Sequence, residues 1–230
     1  MCCRIEGTRI EPPEEGTPGV EELKIRYYRM MIRYYEAQDD YLEVCRCFRA
    51  IYDTDSVQAD AGQWQPVLRN ICWYLALSPA GVEHNTLLNT TMQDKRMQDL
   101  PACRELLRTF TTVEIAPWDA FQSRFAPEME ATPEVFAGPR GTKRREDLRL
   151  RVVQHNILVV SKYYTRVTMQ RLGQLLALPI AEAERHLADM VNGKAVTVRI
   201  DRPKVRRRIR GGWGMRVRWD GHFPVHQRCR

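Results

Sequence analysis

The sequence contains no run of about 18 apolar residues, the length a helix needs to cross a bilayer, so no transmembrane helix is expected in its 230 residues. The stretch Met1–Gly16 has no apolar h-region and is not read as a signal peptide. A disulfide framework is also missing. The seven cysteines (Cys2, Cys3, Cys45, Cys47, Cys72, Cys103, Cys229) are odd in number and irregularly spaced, unlike a secreted scaffold. Cys45-x-Cys47 has no matching second pair and no histidine at zinc-ligand spacing. Cys45 and Cys72 fall on apolar helical stripes, where a thiol packs as a small hydrophobe.

Catalytic signatures are lacking as well. G-x-S-x-G, P-loop, H-E-x-x-H and Cys-x-x-Cys patterns do not occur. Gly211-Gly-Trp-Gly214 has a glycine-rich composition but follows no strand-to-helix turn. No cofactor or metal is expected, and an enzyme is the least supported class. The net charge of +7 suggests a nucleic-acid partner only until it is located. Residues 203–230 hold nine Lys/Arg and one acid, Asp220, a net of +8, which leaves residues 1–202 at −1. The basic character therefore belongs to the tail and not to the body.

What is present is a succession of short helical patterns. Residues 1–22, rich in Pro, Gly and Glu, read as disordered. Helices are predicted over Leu23–Ala37, over Tyr41–Tyr52 after an Asp39-Asp40 cap, and over Trp64–Leu77. Others are expected near Val82–Asn89, Lys95–Leu100, from Pro101 and from Pro117. The stretch Ala131–Lys143, with Pro133, Gly138, Pro139 and Gly141, reads as a linker or exposed loop. Residues 23–145 thus form the helical-repeat part of a mainly α fold, stacked helical hairpins in a TPR-like solenoid. Trp64, Trp73 and Trp118 fall on its helical stripes as core candidates.

Residues 146–202 read as a winged-helix module. A long helix covers Glu146–Tyr164, two short helices cover Thr168–Ala177 and Ile180–Asn192, and Ala195–Ile200 alternates with period two as the start of a small β-wing. For the polar pair His155 and Asn156 two readings stand side by side: hydrogen bonds to the winged helix that set its angle, or a plain, partly exposed His155; a catalytic role is the least supported. A DNA reader offers Arg, Lys, Asn or Gln from its second helix. Here that helix turns Ile180, Ala183, Leu187, Met190 and Val191 to the core. Its polar side carries Glu182, Glu184, Arg185, His186 and Asp189, where three carboxylates against one arginine repel phosphate. A protein-docking face and a plain solvated acidic face are both favoured over DNA binding.

Several long segments are familiar: Leu23-Lys-Ile-Arg-Tyr-Tyr-Arg-Met-Met-Ile32, Tyr41-Leu-Glu-Val-Cys-Arg-Cys-Phe-Arg-Ala-Ile-Tyr-Asp-Thr54, the run from Val153 to Thr168, Leu172–Leu178 and Lys194–Pro203. Over about residues 22–203 they resemble the PCI-domain scaffold subunits of the 26S proteasome lid, in the non-ATPase regulatory subunit 12 family, with a plant-like flavour. The resemblance implies a curved stack of helical hairpins ending in a winged helix and a non-catalytic role in ubiquitin-dependent protein degradation, in cytoplasm and nucleus. It implies as partners other lid PCI subunits, the deubiquitinating subunit, the ATPase ring and the core particle. It places the subunit interface near Val196, Val198 and Ile200, with Glu182 and Arg185 beside them.

The chain departs from that family at both ends. Residues 1–22 do not replace the family's longer N-terminal solenoid. Beyond Pro203 the family has a second apolar wing strand and a terminal helix, and the present arginine-rich sequence has no helical period. Residues 203–230 read as a basic, poorly ordered tail, with Trp213–Trp219 the alternative candidate for a substitute wing strand. Two other readings stay open: a PCI subunit of the COP9 signalosome or an initiation-factor complex, and a non-specific nucleic-acid binder through Arg206, Arg207, Arg208 and Arg210.

Overall fold

The computed structural model describes residues 19–201 and 216–219. The fold is mainly α, with helical hairpins leading into a winged-helix module that carries a small β-wing. The chain separates into two compact units, divided between Leu75 and Ala76. The expectations placed on residues 1–18, 202–215 and 220–230, among them Arg206, Arg207, Arg208 and Arg210, lie outside the described residues.

In the first unit α1 (Val20–Ala37) packs against α2 (Tyr41–Tyr52). The turn between them works because Asp39 takes a left-handed φ of +58°. Asp40 then caps α2, its Oδ1 accepting the Glu43 amide at 3.3 Å. α2 buries Val44, Cys45, Cys47 and Ile51. The Cys45 thiol lies 3.9 Å from the Ile71 carbonyl, and burial pushes its pKa up to about 12, which makes it inert as a nucleophile. The break expected after Tyr52 holds a short helix, α3 (Asp55–Ala59).

α4 (Ala61–Leu77) begins one turn earlier than Trp64 because Asp60 accepts hydrogen bonds from the Gly62 amide at 2.8 Å and from Gln63 Nε2 at 3.1 Å. The first satisfies a backbone donor that a helix start leaves unpaired, and the second ties the Gln63 side chain to the same carboxylate. Trp64 and Trp73 are buried.

The second unit contains α5 (Val82–Met92), a 3₁₀ turn (Lys95–Gln98), α6 (Pro101–Thr111), α7 (Trp118–Glu130), α8 (Pro133–Phe136) and α9 (Gly138–Tyr163). Pro101 and Pro117 mark helix starts as their fixed φ allows.

The expected linker at 131–143 is corrected: it holds α8 and the first turns of α9. Pro133 and Pro139 sit in first turns, where a missing N–H costs nothing. Gly141 is needed because an added Cβ would lie 1.9 Å from the Phe136 carbonyl oxygen. Buried Arg144 ties the corner by donating to the carbonyls of Glu134 at 3.3 Å and Val135 at 2.8 Å. The long helix therefore starts at Gly138, and not at Glu146.

After α9 come β1 (Arg166–Thr168), α10 (Met169–Leu176), α11 (Ile180–Asn192), β2 (Val198–Asp201) and β3 (Arg216–Trp219). The sheet order is β1-β3-β2, with β3 antiparallel to both neighbours. Val167 pairs with Val217, and Val217 with Ile200. Residues 216–219, part of the Trp213–Trp219 stretch read as the alternative to a poorly ordered tail, thus supply the central strand. The core of the module gathers Val153, Ile157 and Val160 of α9, Leu172 and Leu176 of α10, Ala183, Leu187 and Met190 of α11, and Val167, Val196 and Val217.

Candidate protein-docking surface

The winged-helix module is assembled by local rules. Thr168 caps α10, its Oγ1 accepting the Arg171 amide at 3.2 Å. α10 ends at Ala177 with φ +53°, and the Leu178 amide returns to the Gly173 carbonyl at 2.9 Å, closing the helix in a left-handed cap. A Cβ on Gly173 would lie 2.9 Å from the Leu178 carbonyl oxygen, so the tight α10–α11 turn is built around that glycine. Pro179 then leads into α11.

α11 presents one face to the core and one outward. Ala183, Leu187 and Met190 are buried and Val191 is partly buried against the core. Ile180 departs from expectation: it is 50 % exposed. The tight turn leaves it on the rim of a shallow groove with Gln170, Gln174, Leu178 and Pro179. On the outer face Arg185 and Asp189 are exposed, and Glu182, Glu184 and His186 half-buried. Glu182 is partnered, its Oε1 lying 3.5 Å from Arg149 Nη2 and 3.6 Å from His186 Nε2. The face is therefore less acidic than α11 alone suggests, because α9 brings a second arginine to it.

The wing places the expected interface residues unequally. Val196 precedes β2 and is buried, its amide 3.4 Å from the Met190 carbonyl. Val198 is partly buried against the core. Ile200 is a β2 residue paired with Val217. Since β3 occupies one side of β2, the opposite edge of β2 ends the sheet among the described residues. Such an edge offers unpaired backbone donors and acceptors.

Of the two readings of His155 and Asn156, the one in which they set the angle of the winged helix does not hold. They face the loop between α6 and α7. Asn156 Oδ1 accepts the Ala116 amide at 2.9 Å and its Nδ2 donates to the Ala116 carbonyl at 2.8 Å, so one side chain pairs with that residue as a neighbouring strand would. His155 Nε2 lies 3.2 Å from the Glu114 carbonyl, and its ring meets Phe110 edge-on at 5.7 Å. Tyr163 donates to the Val113 carbonyl at 3.0 Å. Burial holds the His155 pKa below its ordinary value; the Glu114 hydrogen bond opposes this and Lys162 adds to it.

The same loop, with α6 and α7, borders a groove of about 340 Å³ lined by Glu105, Arg108, Ile115, Phe121 and Arg124. Sequence reasoning did not find it. The ion pair across it, Arg124–Glu105 at 2.9 Å, joins residues whose proximity no spacing rule reveals, whereas Arg108–Glu105 at 3.6 Å is an i,i+3 pair along α6.

Comparisons with known proteins agree with this architecture. Residues 121–205 match the PCI domain family, and residues 4–60 match the family described as PSMD12/CSN4, N-terminal. The chain is 45 % identical over 201 residues to 26S proteasome non-ATPase regulatory subunit 12 homolog B of Arabidopsis thaliana, covering 83 % of this chain and 46 % of that protein. It is 34 % identical over 186 residues to 26S proteasome regulatory subunit RPN5 of Saccharomyces cerevisiae, covering 81 % and 42 %. Identity to COP9 signalosome complex subunit 4 of Drosophila melanogaster is 25 % over 181 residues, covering 79 % and 42 %. The chain thus spans less than half the length of these relatives. Among its described residues no helix is long and apolar enough to cross a membrane.

Proposed function

We propose that this homologue of 26S proteasome non-ATPase regulatory subunit 12 is a non-catalytic scaffold subunit of the regulatory particle lid, acting in ubiquitin-dependent protein degradation. The observation that carries the reading is the wing. Among the described residues its sheet ends at the β2 edge, in the same module as the mixed-charge outer face of α11. A strand edge of this kind joins a second sheet through main-chain hydrogen bonds, and side chains nearby choose the partner. Val198 and Ile200 lie on that strand, Val196 anchors its approach in the core, and Glu182 and Arg185 supply charge on α11 of the same module. The partners are other lid PCI subunits, with the deubiquitinating subunit, the ATPase ring and the core particle as further contacts, in cytoplasm and nucleus. No cofactor enters the role.

The test is an affinity pull-down of the tagged chain from plant cell extract at moderate salt, read by mass spectrometry. Lid subunits in near-equal amounts are the expected result. Signalosome subunits in their place would favour the second reading, which the 25 % identity to COP9 signalosome subunit 4 supports less strongly than the 45 % identity to the proteasome subunit supports the first. Recovery only of RNA-binding proteins, lost on nuclease treatment, would point to the arginine-rich segment and overturn the scaffold assignment.

A further inference from the structure

The register of the wing sheet sets like charges side by side. Arg166 of β1 pairs with Arg218 of β3, and Arg218 pairs with Arg199 of β2, so three arginines share one row across all three strands. Two residues along, the next row of the same face holds Thr168, Arg216 and Asp201. The row between them contains Val167 and Val217, both buried in the core, so the arginines belong to the opposite face of the sheet. Like charges directly opposite each other destabilise a strand pair. In this register Arg199 has a cation on its β3 side, and its other neighbour in the row lies across the edge of β2 that is open among the described residues.

That edge strand reads Val198-Arg-Ile-Asp201, and its charges are self-complementary. When a second β2 lies antiparallel to it with Ile200 opposite Ile200, each Arg199 falls opposite the Asp201 of the other copy. The strands then run β1-β3-β2-β2-β3-β1 through a two-fold axis, the isologous arrangement of a closed dimer. Both charged residues of β2 gain an opposite charge in their rows, and the run of three arginines ends on a carboxylate. Neighbouring registers do not achieve this. A slip of two residues one way sets Arg199 against Arg199, and the other way Asp201 against Asp201. A slip of one residue sets the outer face against the core face.

We infer that two copies of this chain close each other's β2 edge in that one register, so that the strand edge is covered until a different partner strand displaces the second copy. The inference rests on the same open β2 edge as the scaffold reading, but not on which subunits a lid supplies.

The experiment is sedimentation velocity of the full chain over a concentration series. The wild-type chain should dimerise, less so in high salt. Arg199→Asp and Asp201→Arg each put two like-charged pairs into the register and should weaken dimerisation at least about tenfold. Mixed in equal amounts, the two variants should form a heterodimer, because the acids of one copy then face the cations of the other. The double variant Arg199→Asp, Asp201→Arg should dimerise as the wild type does. Circular dichroism checks the fold of each; Arg199→Asp, which relieves the row at Arg218, decides the matter where Asp201→Arg fails to fold. A monomeric wild-type chain, a dimer that Arg199→Asp leaves intact, or two folded single variants that do not associate when mixed would each overturn the inference. A monomer that still recovers lid subunits overturns the dimer and leaves the scaffold reading standing, and a dimer that recovers none does the reverse.

Discussion

Replacing Asn156 by alanine removes a side chain that is 2 % exposed and leaves both the amide and the carbonyl of Ala116 without the partners they have at 2.9 and 2.8 Å. Each buried group that loses its partner costs about 1–3 kcal/mol. The small cavity lets water reach part of the site, so the lower half of the combined range applies, about 2–4 kcal/mol. At a urea m-value of about 2 kcal/mol per molar, the denaturation midpoint moves down by about 1–2 M. Circular dichroism in a urea series reads the shift, and hydrogen exchange at the Ala116 amide reads its cause, because that amide should lose protection before its helical neighbours do. Asn156→Asp sharpens the test. It keeps an acceptor for the amide but sets a carboxylate against the Ala116 carbonyl, so it should be at least as damaging as alanine. A loss below about 1 kcal/mol in both variants, or unchanged exchange at Ala116, would refute the claim that this one side chain fixes the α6–α7 loop.

Two further outcomes follow from the same region. Gly141→Ala should destabilise by about 1–3 kcal/mol despite alanine's better helix propensity, since its Cβ meets the Phe136 backbone and not a side chain that can swing away; a raised thermal midpoint would contradict the tight corner. His155, with its pKa lowered by burial, is neutral in the fold, so its contribution is complete above the unfolded value of about 6.5 and is lost as pH falls through that value toward the folded one. Between about pH 7 and about pH 5 the wild-type chain should lose more stability than His155→Asn does, measured as the slope of unfolding free energy against pH; parallel slopes would remove the histidine from the account.

Much of the architecture is legible in the sequence where one residue decides it. Asp40 starts α2, Pro101 and Pro117 start α6 and α7, and the stripes of α10 and α11 point to a common core. What is not legible depends on partners far along the chain. Pro133, Gly138, Pro139 and Gly141 carry the composition of a loop, and only the proximity of Phe136 to Gly141 and the buried reach of Arg144 turn them into a helical corner. The direction of His155 and Asn156 is fixed by a loop some forty residues earlier, beyond any local pattern. Ile180 obeys the helical period and is still outside the core, because the turn at Ala177 rotates the first residue of α11 away from it. Of the candidate docking surface, the polar residues of α11 were readable, whereas the approach of Arg149 to Glu182 was not.

The strand order β1-β3-β2 has a consequence for synthesis. β1 and β2 are not paired with each other; both wait for β3, whose residues 216–219 leave the ribosome after every other described element. The helices of the module can pack as they emerge, but its sheet closes only when that last strand threads between two earlier ones, a long-range step and so a slow one. Until then β2 is exposed on both sides. A nascent chain therefore carries an unpaired strand in an unfinished sheet, and insertion of β3 is the event that leaves β2, among the described residues, with a single open edge.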